Sequence, residues 1–106
     1  NKQSFACLSS RFVYGETITK EKLTMVDKAE QLLLDQGFHQ VRVRIHGKVA
    51  RIEIMPEEFE KLLQINIKND ILEKFEQYGF TYVTMDLKGY RTGSMNETLN
   101  NLAAGQ

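Results

Sequence analysis

The chain has a single cysteine and no net charge, with 14 basic side chains balancing 14 acidic ones across 106 residues. One cysteine cannot close an internal disulfide. Nor can it build a zinc or iron–sulfur site alone, and the two histidines add little to a ligand set. The thiol of Cys7 is therefore either a bystander or a nucleophile, and the expected compartment is the cytoplasm, where thiols stay reduced. Balanced charge counts against a nucleic-acid module, which carries a basic excess or stripe. No aromatic platform for stacking RNA bases is visible. No apolar run approaches the roughly 20 residues of a membrane-spanning helix. No basic flank followed by an apolar stretch marks a secretory leader. Ser9, Ser10 and Ser94 have no G-x-S-x-G setting and no visible triad. The chain opens on Asn and soon reaches a rich motif, so the expectation is a piece cut from a longer protein.

What is present reads as one small domain with one modest core. Hydrophobic residues make up 42% and charged residues 26%, the composition of an ordinary globular chain. Residues 1–18 read as an irregular lead-in carrying the cysteine. A helix is predicted over 20–36, with Thr19 as N-cap, Leu23, Val26, Ala29 and Leu33 at helical spacing, and Gly37 just past its end. Residues 40–46 and 49–54 alternate apolar and polar, the pattern of a hairpin about Gly47-Lys48 with a type II′ turn. That register sets His46 opposite Val49, Arg44 opposite Arg51 and Arg42 opposite Glu53. Pro56 starts a short helix, a second helix runs over 66–78 and ends at Gly79, and a strand follows over Thr81–Leu87. The order α-β-β-α-α-β predicts an α+β domain over 19–97, its sheet covered by helices on one face. Residues 98–106 read as a tail, expected to be disordered. LLLDQGFHQVRVRI (32–45) echoes KFEQYGFTYVTMDL (74–87), through an old duplication or, the favoured reading, through the shared chemistry of helix-to-strand turns.

The polar face of the hairpin gathers Arg42, Arg44, Arg51 and His46. Arg44 directly across from Arg51 is unfavourable as a bare pair. Glu53 and Asp86 can compensate it. So can a bound anion, because guanidinium groups grip phosphate in two-pronged fashion. Arg91, in the Gly/Ser-rich segment with Ser94, could close such a pocket. The alternative is a solvated strand face laced with ion pairs. Cys7 lies in FACLSSRF with Arg11 four residues on, and a nearby cation favours the nucleophilic thiolate. Against this stands the usual fate of a lone cysteine, a small buried hydrophobe. His39 and His46 read as structural, and Glu57, Glu58 and Glu60 as a solvated helix face.

Three segments together carry a family resemblance: CLSSRFVYGETIT (7–19), RVRIHGKVARIEI (42–54) and GFTYVTMDLKGYRTGSMNE (79–97). They resemble the C-terminal domain of the ATP-dependent sacrificial sulfur transferases of the PP-loop superfamily, which help build the nickel-pincer nucleotide cofactor of lactate racemase. The resemblance runs to about Glu97. It implies a preceding PP-loop domain that uses ATP and magnesium to adenylate a carboxylate of a pyridinium mononucleotide. It implies that Cys7 then attacks the activated carbonyl and gives up its sulfur, leaving dehydroalanine. A related branch uses cluster-binding cysteines, and the single cysteine here resembles the sacrificial branch.

By the same resemblance Arg42, Arg44 and Arg91 grip the substrate phosphate, Ser10 and Arg11 orient substrate, and Glu30 and Glu53 lie on matching segments in supporting roles. The ATP-binding loop of the superfamily is not among these residues, so the isolated chain is expected to be inactive. The resemblance leaves the metal site open, and the partners expected are a phosphorylated small molecule, the PP-loop domain and further copies of the chain. The competing reading is a non-catalytic oligomerisation and phosphate-binding module of a PP-loop enzyme of other substrate, for example in tRNA thiolation.

Overall fold

Helix α1 spans Lys20–Asp35 because its start, its apolar stripe and its end all agree. The Thr19 hydroxyl accepts the Lys22 N–H at 3.1 Å, satisfying a donor that the first turn leaves open. Met25, Val26, Ala29 and Leu33 are buried on one side. At the far end the Phe38 N–H reaches back to Leu33 O, closing the helix across Gly37. The computed structural model describes residues 11–13 and 15–90. Cys7, Ser10, Arg91 and Ser94 lie outside the described residues.

Strands β1 (Val41–His46) and β2 (Val49–Ile54) pair antiparallel in the predicted register: His46 with Val49, Arg44 with Arg51, Arg42 with Glu53. Gly47 has φ +60 and no described non-glycine residue has positive φ, which fits a type II′ turn and not a type I′ one. A 3₁₀ turn at Pro56–Glu58 leads into α2 (Phe59–Leu63) and then α3 (Ile65–Tyr78). Gly79 ends α3 as Gly37 ends α1, with the Phe80 N–H on Phe75 O. The echo noted in the sequence is thus one helix-ending geometry used twice, with Phe38 and Phe80 both packed into the core.

β3 (Tyr82–Met85) is shorter than the predicted strand and pairs parallel to β2, giving the sheet order β1-β2-β3. The helices α2 and α3 form the crossover that a parallel pair requires. The order is α-β-β-α-α-β, and Val43, Ile45, Ala50, Ile52 and Ile54 on one sheet face join Val26, Ala29, Leu33, Ile71 and Phe75 from the helices in one core. The other face carries the charged residues.

Two segments outside the named strands extend the sheet. Phe12, almost wholly buried, bridges in parallel to Ile45 along the outer edge of β1. Beyond β3, the Asp86 N–H continues the ladder onto Ile52 O, but the next carbonyl, Ile54 O, takes the Tyr90 N–H at 2.7 Å. Leu87–Gly89 loop out between them. Gly89 has φ +84, and a Cβ there would stand 2.8 Å from Ile54 O, so only glycine fits this return to β2.

Candidate functional site

The charged face of the sheet is built by the alternation of β1 and β2. Arg44 and Glu53 lie diagonally across the hairpin, and both are buried. Arg44 Nε donates to Glu53 Oε2 at 3.1 Å and its Nη2 to Oε1 at 3.2 Å, a two-pronged pair. Arg51 Nη2 stands 3.6 Å from the same Glu53, and Arg51 Nε stands 3.8 Å from Asp86 Oδ2. The unfavourable Arg44–Arg51 juxtaposition is therefore resolved by two carboxylates from the protein itself. Asp86 also caps its own turn by accepting the Lys88 N–H.

Arg42 is placed differently. Its nearest carboxylate is Glu30, at 4.0 Å, and its guanidinium makes no hydrogen bond among the described residues. Its side chain is partly exposed.

Glu30 projects from α1 onto the edge of β1. Its Oε2 accepts the Val43 N–H at 2.9 Å, while Oε1 accepts Arg11 Nε at 3.0 Å. Glu30, Arg11 and Arg42 thus meet at one carboxylate. Glu16, which sequence reasoning did not single out, accepts the Gly47 N–H at 3.0 Å and pairs with Lys22. These partners lie 31 and 6 residues away, so no local pattern signals them. Glu58 is not merely solvated: it accepts the His39 N–H at 3.2 Å and meets the His39 ring at 2.7 Å. Among the described residues no group of three or more His, Cys, Asp or Glu could hold a metal ion. None of the described helices is long and apolar enough to cross a membrane.

His46 ends β1 with its Nε2 buried and without a hydrogen-bond partner among the described residues. Burial, and then the Arg51 charge, hold its pKa below the ordinary 6.5, with Glu16 opposing and Arg44 adding to the shift. A folded pKa below the unfolded one means the folded state binds the proton more weakly. The stabilisation is complete above the ordinary value and is lost as pH falls through the lowered folded value. Urea midpoints are expected to fall between about pH 7.5 and pH 5.5, and less steeply in His46→Gln. Equal slopes in both proteins would contradict this.

Comparison with known proteins adds what the geometry alone does not. No family model matches the chain. It is 46% identical to an uncharacterized protein of Synechocystis over 93% of its own length. It is 41% identical, again over 93% of its length, to the pyridinium-3,5-bisthiocarboxylic acid mononucleotide synthase of Lactiplantibacillus plantarum. The chain is homologous to one part of that synthase. An uncharacterized protein of Methanocaldococcus jannaschii is 35% identical over 81% of the chain. The chain spans 37%, 35% and 33% of these relatives, about a third of each. The synthase's name describes a mononucleotide with two thiocarboxylates.

Proposed function

We propose that this chain is the sulfur-donating part of an ATP-dependent sulfur transferase acting in nickel-pincer cofactor synthesis. The observation that carries the reading is the 41% identity to the synthase across 93% of the chain. In this reading a PP-loop domain joined to the chain uses ATP and magnesium to adenylate a carboxylate of a pyridinium mononucleotide. The Cys7 thiolate adds to the acyl carbonyl and AMP leaves, giving a thioester. Loss of the Cys7 α-proton with cleavage of Cβ–S then leaves thiocarboxylate on the product and dehydroalanine in the chain. Arg42 holds the substrate phosphate, joined by Arg91 and by backbone N–H groups near Ser94. Arg44 supports the site through Glu53, and Arg51 through Glu53 and Asp86. Ser10 orients the substrate near the thiol, and Arg11, held by Glu30, orients the segment that bears the thiol. The setting is the cytoplasm, and the active unit is a homo-oligomer.

The test uses the full chain with its ATP-binding domain, ATP, magnesium and pyridinium-3,5-dicarboxylate mononucleotide. Wild-type protein is expected to give thiocarboxylated product and Cys7→Ser none. Product from Cys7→Ser would reject the assignment.

A second reading has its own support. Leu63, Ile65, Tyr82 and Leu87 are exposed. Next to them an apolar groove of about 280 Å³ opens between α2, α3 and β3. Such a surface suits a module that drives assembly of a PP-loop enzyme with another substrate. No thiocarboxylated product and an unchanged Cys7 in the wild-type protein would favour that reading.

A further inference from the structure

The chain that leads out of the cysteine motif does not run free before α1. It is tied along the outer edge of β1 at three points. Arg11 is held by Glu30, with Nε at 3.0 Å and Nη2 at 2.9 Å from Oε1. Phe12 bridges to Ile45 and is 3% exposed. Glu16 accepts the N–H of Gly47 at the hairpin turn.

Glu30 is the distinctive member of this set. It sits on the buried stripe of α1, between Val26 and Leu33, where an apolar residue would be expected, and is only 8% exposed. A carboxylate so placed is costly unless its oxygens are satisfied. One oxygen takes the outward N–H of Val43, an edge donor of β1 that β2 does not use. The other takes the guanidinium of Arg11. A single side chain therefore references the incoming segment to β1, beside the residue that carries the Arg42 guanidinium. Arg11 lies four residues after Cys7, so the clasp restricts the thiol to about 14 Å of extended chain from a fixed point.

We propose that Glu30 is a positioning residue that docks the Cys7-bearing segment onto β1, acting through Arg11. The proposal rests on the sulfur-transfer reading. The thiol must meet a carbonyl whose phosphate is held on the strand that Glu30 grips. Nucleophile and substrate are then aligned through one carboxylate. A shift of about 1 Å between them can cost 100-fold in rate.

The experiment compares Glu30→Gln, Arg11→Gln and the double variant in the full chain with its ATP-binding domain. Single-turnover sulfur transfer at saturating mononucleotide is expected to slow about 10- to 100-fold in each single variant. The mononucleotide Kd is expected to stay within about 3-fold, and the double variant to be no slower than the slower single one. A merely structural role would not produce that split. Wild-type rates, additive losses in the double variant, or a Kd that rises as far as the rate falls would each overturn the proposal. Should Glu30→Gln fail to fold, Arg11→Gln carries the test, and a wild-type rate in it overturns the proposal. Cys7→Ser run alongside separates the two levels. If it still transfers sulfur, the underlying reading falls and this proposal with it. If it is inactive while Glu30→Gln and Arg11→Gln run at the wild-type rate, the positioning role alone falls.

Discussion

Replacing Glu53 by Ala is expected to destabilise the fold by about 3–5 kcal/mol. The Glu53 side chain is fully buried and receives both prongs of Arg44, with Arg51 close to the same oxygen. Its removal leaves Arg44 and Arg51 opposite one another in the register without the carboxylate between them. Breaking a buried pair by deleting one partner costs far more than replacing both, because the remaining charge stays desolvated. Arg44→Met combined with Glu53→Met should therefore recover much of the loss. Urea unfolding with an unchanged m-value measures both effects. A Glu53→Ala loss below about 1 kcal/mol would mean that the pair is a dispensable surface ion pair.

Arg42→Ala should weaken mononucleotide binding about 10- to 100-fold, the range expected for losing charge-assisted hydrogen bonds to a phosphate. Its stability should stay within about 0.5 kcal/mol of wild type, because its one ion contact is 4.0 Å long. Arg42→Lys should recover only part of the affinity, since an ammonium cannot present the planar fork. The two neighbouring strand arginines thus divide their effects. Arg44→Ala acts first on stability through Glu53, and Arg42→Ala on the ligand. Calorimetric titration alongside unfolding separates them. Wild-type affinity in Arg42→Ala, with lost affinity but full stability in Arg44→Ala, would reverse the assignment.

The hairpin was legible because its chemistry is local. Alternation over 41–54 admits one register that sets Val41, Val43, Ile45, Ala50, Ile52 and Ile54 on one face, and Gly47 fits the turn that joins the strands. The ends of α1 and α3 were legible for the same reason, at Gly37 and Gly79. The compensation of Arg44 and Arg51 was legible as a need, and Glu53 and Asp86 were named for it. What the pattern did not contain was distance. That β3 lies parallel to β2 follows from the α2–α3 crossover, and no residue of β3 encodes its neighbour. Glu16 reaches the hairpin turn, and Glu58 reaches His39, across chain separations that periodicity does not record. Glu30 did leave a sign, as a charged residue four positions after Val26 on the apolar stripe of a helix. Such a residue needs buried partners, and the edge of β1 and Arg11 supply them.

The proposed function turns on the thiol of Cys7, which makes its fate during turnover the most direct measurement. The full chain with its ATP-binding domain is incubated with ATP, magnesium and pyridinium-3,5-dicarboxylate mononucleotide. Intact mass is followed together with mapping of the peptide that holds Cys7. Cys7 is expected to lose the elements of hydrogen sulfide in step with thiocarboxylate formation. Thiocarboxylate accumulating while Cys7 stays intact would contradict it.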